Sequence, residues 1–377
     1  MQQKGKNKED VLAELKKRRT LDKSYANGRI MNSMCTKPHP IAKKAYTMFF
    51  DSNLGDSGLF PSAAQLEREV IAQLSELMHC KTACGFIVSG GTEANLLAIA
   101  ATKKNACSNS PELVLPQSAH FSFTKICRLL NIKPVYAPLD SSYRVDAKIV
   151  EKLVNTNTIA IVGTVGTAEF GAVDPVEALS ETALRKNIPL HVDAAFGGLV
   201  LPFLKDIKSR FDFSLEGVKS ITVDPHKMGL AAIPAGGILF RDPESLESLK
   251  TETPYLTDNH QYTFVGTRSG ASAASAWAVF QALGAEGYKK IVTACMKNTS
   301  LLAKGLVDAG FSLAVEPTLN VVAFRTKDSK TLYEQLWRQG WYVSYNKRYD
   351  CIRIVVMPHI KRKHIAAFLR DLGREKV

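Results

Sequence analysis

No stretch of this chain stays apolar long enough to cross a bilayer. Residues 1–20 are rich in Lys and Glu where a secretory leader would carry an apolar core. The expectation is a cytoplasmic protein with no membrane partner. Cysteine is scarce: Cys35, Cys80, Cys84, Cys107, Cys127, Cys295 and Cys351 are odd in number and follow no disulfide-framework spacing. Cys80 and Cys84 lie four apart, but no second Cys/His pair follows at zinc spacing, so reduced, buried thiols and no metal site are expected. Internal repeats and low-complexity tracts are missing as well.

Acidic residues are outnumbered, 36 against 49 basic, which gives a net charge of +13. Such a balance raises the question of a nucleic-acid partner. The densest basic clusters, residues 16–19 and 361–363, are not interleaved with aromatic side chains that could stack on bases. They read as solvated helix faces, and no nucleic-acid partner is expected. A basic surface would also draw in anionic substrates or a cofactor phosphate. With 377 residues and 45% hydrophobic content, the chain can bury a large core spread over about two domains.

From residue 83 to 285, β-rich apolar runs alternate with helical patterns. Strands are expected at 85–88, 113–116, 134–137, 159–163, 190–192, 220–223 and 237–240, and helices at 92–106, 119–130, 147–154 and 176–186. This rhythm predicts an α/β fold with a mostly parallel, buried sheet, whose ligands bind beyond the carboxyl ends of the strands. Residues 250–266 lack periodicity and read as a loop. Beyond residue 270 the pattern changes to helices at 271–283 and 287–306, a strand at 320–324, a helix near 329–339, strands at 341–345 and 352–356, and a helix at 361–372. That is a smaller α+β unit. The expected division is an N-terminal segment (1–55), a large domain (56–270) and a small one (271–377).

Two strand ends carry the chemistry. Asp193 closes the run Leu190-His191-Val192, and Lys227 follows Asp224-Pro225-His226, 34 residues later. That order suits pyridoxal phosphate, which needs a lysine to hold its aldehyde and a carboxylate to keep its ring nitrogen protonated. Burial or cationic neighbours would tune the lysine as a nucleophile. Ser89-Gly90-Gly91-Thr92 follows a strand and opens a helix, so backbone N–H groups, the Thr92 hydroxyl and the helix dipole can cradle a phosphate; read alone, it is equally a plain capping turn. No Gly-Lys-Ser/Thr follows, which excludes a Walker loop. His120 could stack on a pyridine ring or cap a helix. Thr164 and Thr167, just past another strand, could bond the ring or shape a turn.

These stretches, with residues 33–40, 53–56, 118–121, 191–198 and 354–359, make the chain resemble the group II pyridoxal-phosphate amino-acid decarboxylases along nearly its whole length. That family includes glutamate, aromatic amino-acid and histidine decarboxylases, with sphingosine-phosphate lyase a more distant relative. The likeness is strongest to its archaeal tyrosine/aspartate branch, associated with methanofuran and coenzyme A synthesis. The resemblance implies the aspartate-aminotransferase-like fold (type I) and a homodimer with active sites at the subunit interface. It implies Lys227 as Schiff-base lysine, Asp193 as partner of the ring nitrogen, Ala195 under the ring and His120 over it. Thr167 would bond the ring. Gly91, Thr92 and His226 would hold the phosphate, with Gly266 and Thr267 completing that site from the neighbouring subunit. Arg353 would meet the substrate carboxylate, with His39 as a further substrate contact. Tyr255 and Tyr262 are the candidates for the loop tyrosine linked to Cα protonation.

The chain departs from the family pattern in its short loop before Gly266, in Ser269 where archaeal relatives tend to carry proline, and in Ala168-Glu169-Phe170 in place of a threonine-rich turn. The implied reaction releases CO₂ and an amine from an L-amino acid: tyrosine, aspartate or, as an alternative, glutamate. Phe49, Phe50, Leu59 and Phe60 would line a slot for tyrosine, and Arg268 or Lys37 would serve aspartate. Rival readings are an aminotransferase, a carbon–carbon lyase and, more remotely, a nucleic-acid-binding protein on an inactive scaffold.

Overall fold

The computed structural model describes residues 1–106, 108–204 and 209–373. Its helices are α1 (Lys8–Arg19), α2 (Pro40–Met48), α3 (Pro61–Leu77), α4 (Gly91–Lys104), α5 (Ser122–Leu129), α6 (Ala147–Leu153), α7 (Val176–Lys186), α8 (Pro243–Glu247), α9 (Gly270–Asp308), α10 (Ser329–Arg338) and α11 (Arg362–Gly373). The main sheet is built from β1 (Cys84–Val88), β2 (Glu112–Pro116), β3 (Lys133–Ala137), β4 (Thr158–Thr164), β5 (Leu190–Asp193), β6 (Val218–Val223) and β7 (Gly236–Phe240). The remaining strands are β8 (Thr251–Glu252), β9 (His260–Gln261), β10 (Ser312–Leu313), β11 (Val321–Arg325), β12 (Ser344–Asn346) and β13 (Cys351–Val355).

Every residue of β2, β4, β5 and β7 is buried. Strands covered on both faces this way cannot alternate polar and apolar residues, which is why their sequences read as continuous runs. The sheet order is β1-β7-β6-β5-β4-β2-β3. All neighbours are parallel except β7, which runs against both β1 and β6. Register sets Thr164 of β4 beside Asp193 of β5, and Asp193 beside Thr222 of β6. Three central strands therefore deliver a polar side chain to one edge of an apolar layer.

The second sheet, β10-β11-β13-β12, is antiparallel throughout. It shares a core with α9, α10 and α11, in which Trp341, Phe324 and Phe368 are almost completely buried. Fully burying an aliphatic or aromatic side chain of this size contributes about 1.5–3 kcal/mol, so this layer is a stable platform for the residues on β13.

Three expectations need adjusting. The two helices at 271–283 and 287–306 are halves of α9, joined at Gly284 (φ 54, ψ −175). Residues 250–266 are not wholly loop, because β8 and β9 pair as a two-residue antiparallel hairpin. Of the thiols, Cys127, Cys295 and Cys351 are buried, but Cys35, Cys80 and Cys84 are only partly so, and all six are free. Cys107 lies outside the described residues. Among the described residues, no helix is long and apolar enough to cross a membrane, and no His/Cys/Asp/Glu cluster could hold a metal ion.

Candidate active site

A cavity of about 1000 Å³ opens beyond the carboxyl ends of β4, β5 and β6, and the β12–β13 turn forms its far wall. Lys227, Asp193, His120, His226, Gly91, Thr92, Ala195 and Arg353 all line it. Another cavity of about 750 Å³, near the kink of α9, has walls dominated by leucine and phenylalanine and includes none of these residues.

Asp193 ends β5 and is 5% exposed. Its Oδ1 accepts from the backbone N–H of Ala195 at 3.1 Å, and its Oδ2 from Asn95 Nδ2 at 2.9 Å. Lys227 Nζ lies 3.1 Å from Asp224 Oδ2. Burial alone would push the Lys227 ammonium down, but the Asp224 and Asp193 carboxylates outweigh it and hold it above the usual lysine range. His226 Nδ1 sits 2.6 Å from the Ala235 carbonyl oxygen and 3.3 Å from the Ala235 nitrogen, and its Nε2 lies 3.8 Å from Asp224 Oδ2.

The turn between β1 and α4 is held by Glu93. Its Oε2 accepts from the Ser89 N–H and hydroxyl, and its Oε1 from the Val265 N–H at 3.2 Å. At Gly91 a side chain would not fit: a Cβ would stand 2.9 Å from Asp224 Oδ2 and 3.2 Å from the Ala195 methyl. The glycine keeps the mouth of the α4 N-terminus open, where backbone N–H groups and helix dipole favour an anion.

Burial lowers the His120 pKa, so the ring is neutral at pH 7. Its Nδ1 accepts from the Ser122 N–H at 3.3 Å, which leaves the ring proton on Nε2. On β13, Arg353 donates to the carbonyls of Ala168 and Asn32, and burial brings its pKa down to about 10. Arg348 clasps Gln117 through the carbonyl at 3.0 Å and the side-chain oxygen at 2.9 Å, tying the β12–β13 turn to the loop after β2.

Other expected residues do not meet at this cavity. Thr167 is buried, and its hydroxyl accepts from the Ala172 N–H at 3.1 Å, so it shapes the turn; Thr164 is the threonine on the cavity wall. His39 caps α2. Gly266 and Thr267 are exposed on the chain's own surface. Tyr255 is 84% exposed. Tyr262 stacks on Phe86 at 5.7 Å and donates to Glu247 Oε1 at 3.2 Å. Arg268 is spent on Glu67 and the Ile87 carbonyl, and neither Lys37 nor Phe49, Phe50, Leu59 or Phe60 lines the cavity. Sequence reasoning gave no role to Asn95, His191, Asp224, Glu169 or Arg348. The available signal for His191 and Asn95 was a polar residue inside an otherwise apolar run.

The model of the pyridoxal-dependent decarboxylase conserved domain matches residues 42–327. The chain belongs to the pyridoxal-dependent decarboxylase family. It is 50% identical over 354 residues to a probable L-tyrosine/L-aspartate decarboxylase of Methanothermobacter thermautotrophicus, covering 93% of this chain and 98% of that one. Identity to a probable L-aspartate decarboxylase of Archaeoglobus fulgidus is 46% over 365 residues, with 97% and 99% covered. Among solved structures, the sphingosine-1-phosphate lyase of Burkholderia pseudomallei superposes with a TM-score of 0.91 at 28% identity, covering 99% of this chain and 91% of that one. The fold is therefore that of the type I pyridoxal enzymes, as the family resemblance implied, on the mostly parallel α/β sheet that the βα rhythm predicted. The cofactor of this decarboxylase family is pyridoxal phosphate, and the cavity has the chemistry to take it. Four atoms on its wall, Thr164 Oγ1, Asp224 Oδ1, Glu169 Oε2 and Arg353 Nε, are buried without a hydrogen-bond partner. Leaving such groups unmet is costly, and a polar, anionic ligand at this place would satisfy donors among them.

Proposed function

We propose that this decarboxylase acts on L-tyrosine or L-aspartate, releasing CO₂ with tyramine or β-alanine, and that Lys227 and Asp193 are its reaction centre. The observation that carries this reading is that a half-buried lysine and a buried aspartate, from just past and at the ends of neighbouring strands, line one cavity. The substrates after which the 50%- and 46%-identical relatives are named support the substrate pair.

When bound, pyridoxal phosphate supplies the electron sink for the pair left on Cα as CO₂ departs. Lys227 would hold the cofactor's aldehyde. Asp193 keeps a proton on the ring nitrogen. Gly91, Thr92 and His226 would hold the phosphate at the N-terminus of α4, and Ala195 and His120 would hold the ring. Arg353 orients the substrate carboxylate. A tight ion pair to the bond that breaks would stabilise the ground state, so its contribution is orientation rather than acceleration. The neutral His120, with its proton on Nε2, would orient a water as one route for the Cα proton.

We also propose a homodimer. Gly266, Thr267 and Tyr255 are exposed and do not line their own chain's cavity, which fits residues that serve a partner's site. The proton donor would then be His120 or a tyrosine, Tyr255 or Tyr262, of the partner's loop.

The decisive experiment compares the protein with Lys227→Ala on tyrosine, aspartate and glutamate side by side. Turnover of tyrosine or aspartate, lost in the variant together with the borohydride-reducible link to the cofactor, is expected. A keto acid or an aldehyde as product, or an active Lys227→Ala protein, would reject the reading.

A further inference from the structure

Behind Asp193 a polar spine runs through an otherwise apolar layer. Asn95, on α4 and 1% exposed, uses every hydrogen-bonding position of its amide. Its Nδ2 donates to Asp193 Oδ2 at 2.9 Å and to Ser122 Oγ at 3.2 Å. Its Oδ1 accepts from Thr222 Oγ1 at 2.7 Å and lies 3.0 Å from His191 Nε2. His191, on β5 and 2% exposed, has its Nδ1 2.8 Å from Ser220 Oγ. Complete burial pushes the His191 pKa down to about 4, so the ring is neutral and has one N–H to place.

The order of donors along this spine has only one consistent direction while Asp193 is ionised. A carboxylate can only accept, so Asn95 must turn its Nδ2 toward Asp193. That aims Oδ1, which also only accepts, at His191. The histidine must then carry its proton on Nε2, and its Nδ1 must accept from the Ser220 hydroxyl. A protonated Asp193 would release the constraint: the amide could turn over and the imidazole proton could move to Nδ1. The tautomer of a histidine remote from the cavity thus reports the charge of the aspartate that faces it.

We propose that Asn95 and His191 are positioning residues that hold the Asp193 carboxyl group fixed in direction, so that it meets the cofactor's ring nitrogen in a preorganised geometry. This rests on Asp193 being the partner of that nitrogen. Asn95 also lines the cavity, whereas His191 does not and reaches it only through Asn95 and Asp193. Their contribution is preorganisation: a buried network with every member satisfied holds its groups rigidly, whereas a broken one leaves costly unpaired atoms.

The test joins nitrogen-15 NMR of His191 with titration of pyridoxal phosphate into the apoprotein. In the unaltered protein the Nε2–H tautomer is expected at neutral pH. Asn95→Leu and His191→Leu should each weaken cofactor binding about tenfold, the scale of one lost oriented hydrogen bond, and should lower kcat more than KM. His191→Gln, whose amide N–H can take the place of Nε2–H, should restore affinity to within about threefold of the parent. The Nδ1–H tautomer in the unaltered protein, or leucine variants that fold and bind cofactor like the parent, would overturn the proposal. Asp193→Asn separates the two layers of the argument. If it is impaired while the leucine variants are not, only the relay fails; if it too is normal, the role given to Asp193 falls.

Discussion

Glu169 is a cavity acid with one buried oxygen that finds no partner. Its neighbour Phe170 is buried against Tyr143, ring to ring at 3.8 Å, which fixes the turn and leaves Glu169 on the cavity wall. Burial raises its pKa, while its own backbone N–H and the Arg353 and Arg348 guanidinium groups pull the other way. Its Oε2 is buried and unpartnered. Such an oxygen welcomes a hydroxyl and resists a second carboxylate. Of the two proposed substrates, tyrosine brings a phenol O–H and aspartate brings only acceptors at neutral pH. Glu169→Gln removes the charge and adds an N–H donor without changing the size of the side chain. Competition kinetics should show kcat/KM for aspartate rising about tenfold relative to tyrosine, the scale of one charged hydrogen bond gained or lost. An unchanged ratio would mean that neither side chain reaches Glu169.

Among the elements, α9 shows how a single residue redirects a helix. Gly284 has φ 54 and ψ −175, a conformation essentially restricted to glycine, and no atom would lie within 4 Å of an added Cβ. The cost of Gly284→Ala is therefore backbone strain alone, about 1–3 kcal/mol. Urea unfolding should move to lower midpoint with an unchanged slope; a neutral or stabilised variant would mean the break tolerates a side chain. The sequence announced a break there through the change in apolar pattern, but not that the helix resumes directly. Strand positions were legible because each buried run is short and bounded by turn residues. The direction of β7 was not, since an apolar run of five residues carries no arrow. The same limit explains the site. Lys227 and Asp193 could be found because strand ends are visible in sequence. Asn95 and His191 could not be joined to them, because their meeting depends on strand order and on α4 crossing the sheet. Thr164 and Thr167 differ for a local reason: the first ends a strand facing the cavity, the second closes a turn.

At the scale of the whole molecule, several large apolar side chains stand exposed to solvent. Met48, Phe50, Leu59 and Phe264 are 75%, 71%, 65% and 66% exposed. They belong to two segments that are tied together, since the Gly58 N–H donates to Thr257 Oγ1 at 3.0 Å and Gln261 Nε2 donates to the Gly55 carbonyl at 2.6 Å. Large apolar side chains gathered on one surface mark an interaction site rather than a solvent face. The same surface carries Gly266 and Thr267, both exposed. A second copy seated there would cover the apolar residues and bring its own 250–267 segment toward the neighbouring cavity, which links assembly to catalysis in the proposed dimer. Placing a charge in the centre of that face separates the two. Phe264→Glu, checked for native circular dichroism, should sediment as a monomer and lose both activity and tight cofactor binding, and mixing it with a Lys227→Ala chain should not restore either. A monomeric Phe264→Glu protein with full turnover would show that one chain builds the whole site and that the exposed face serves something else.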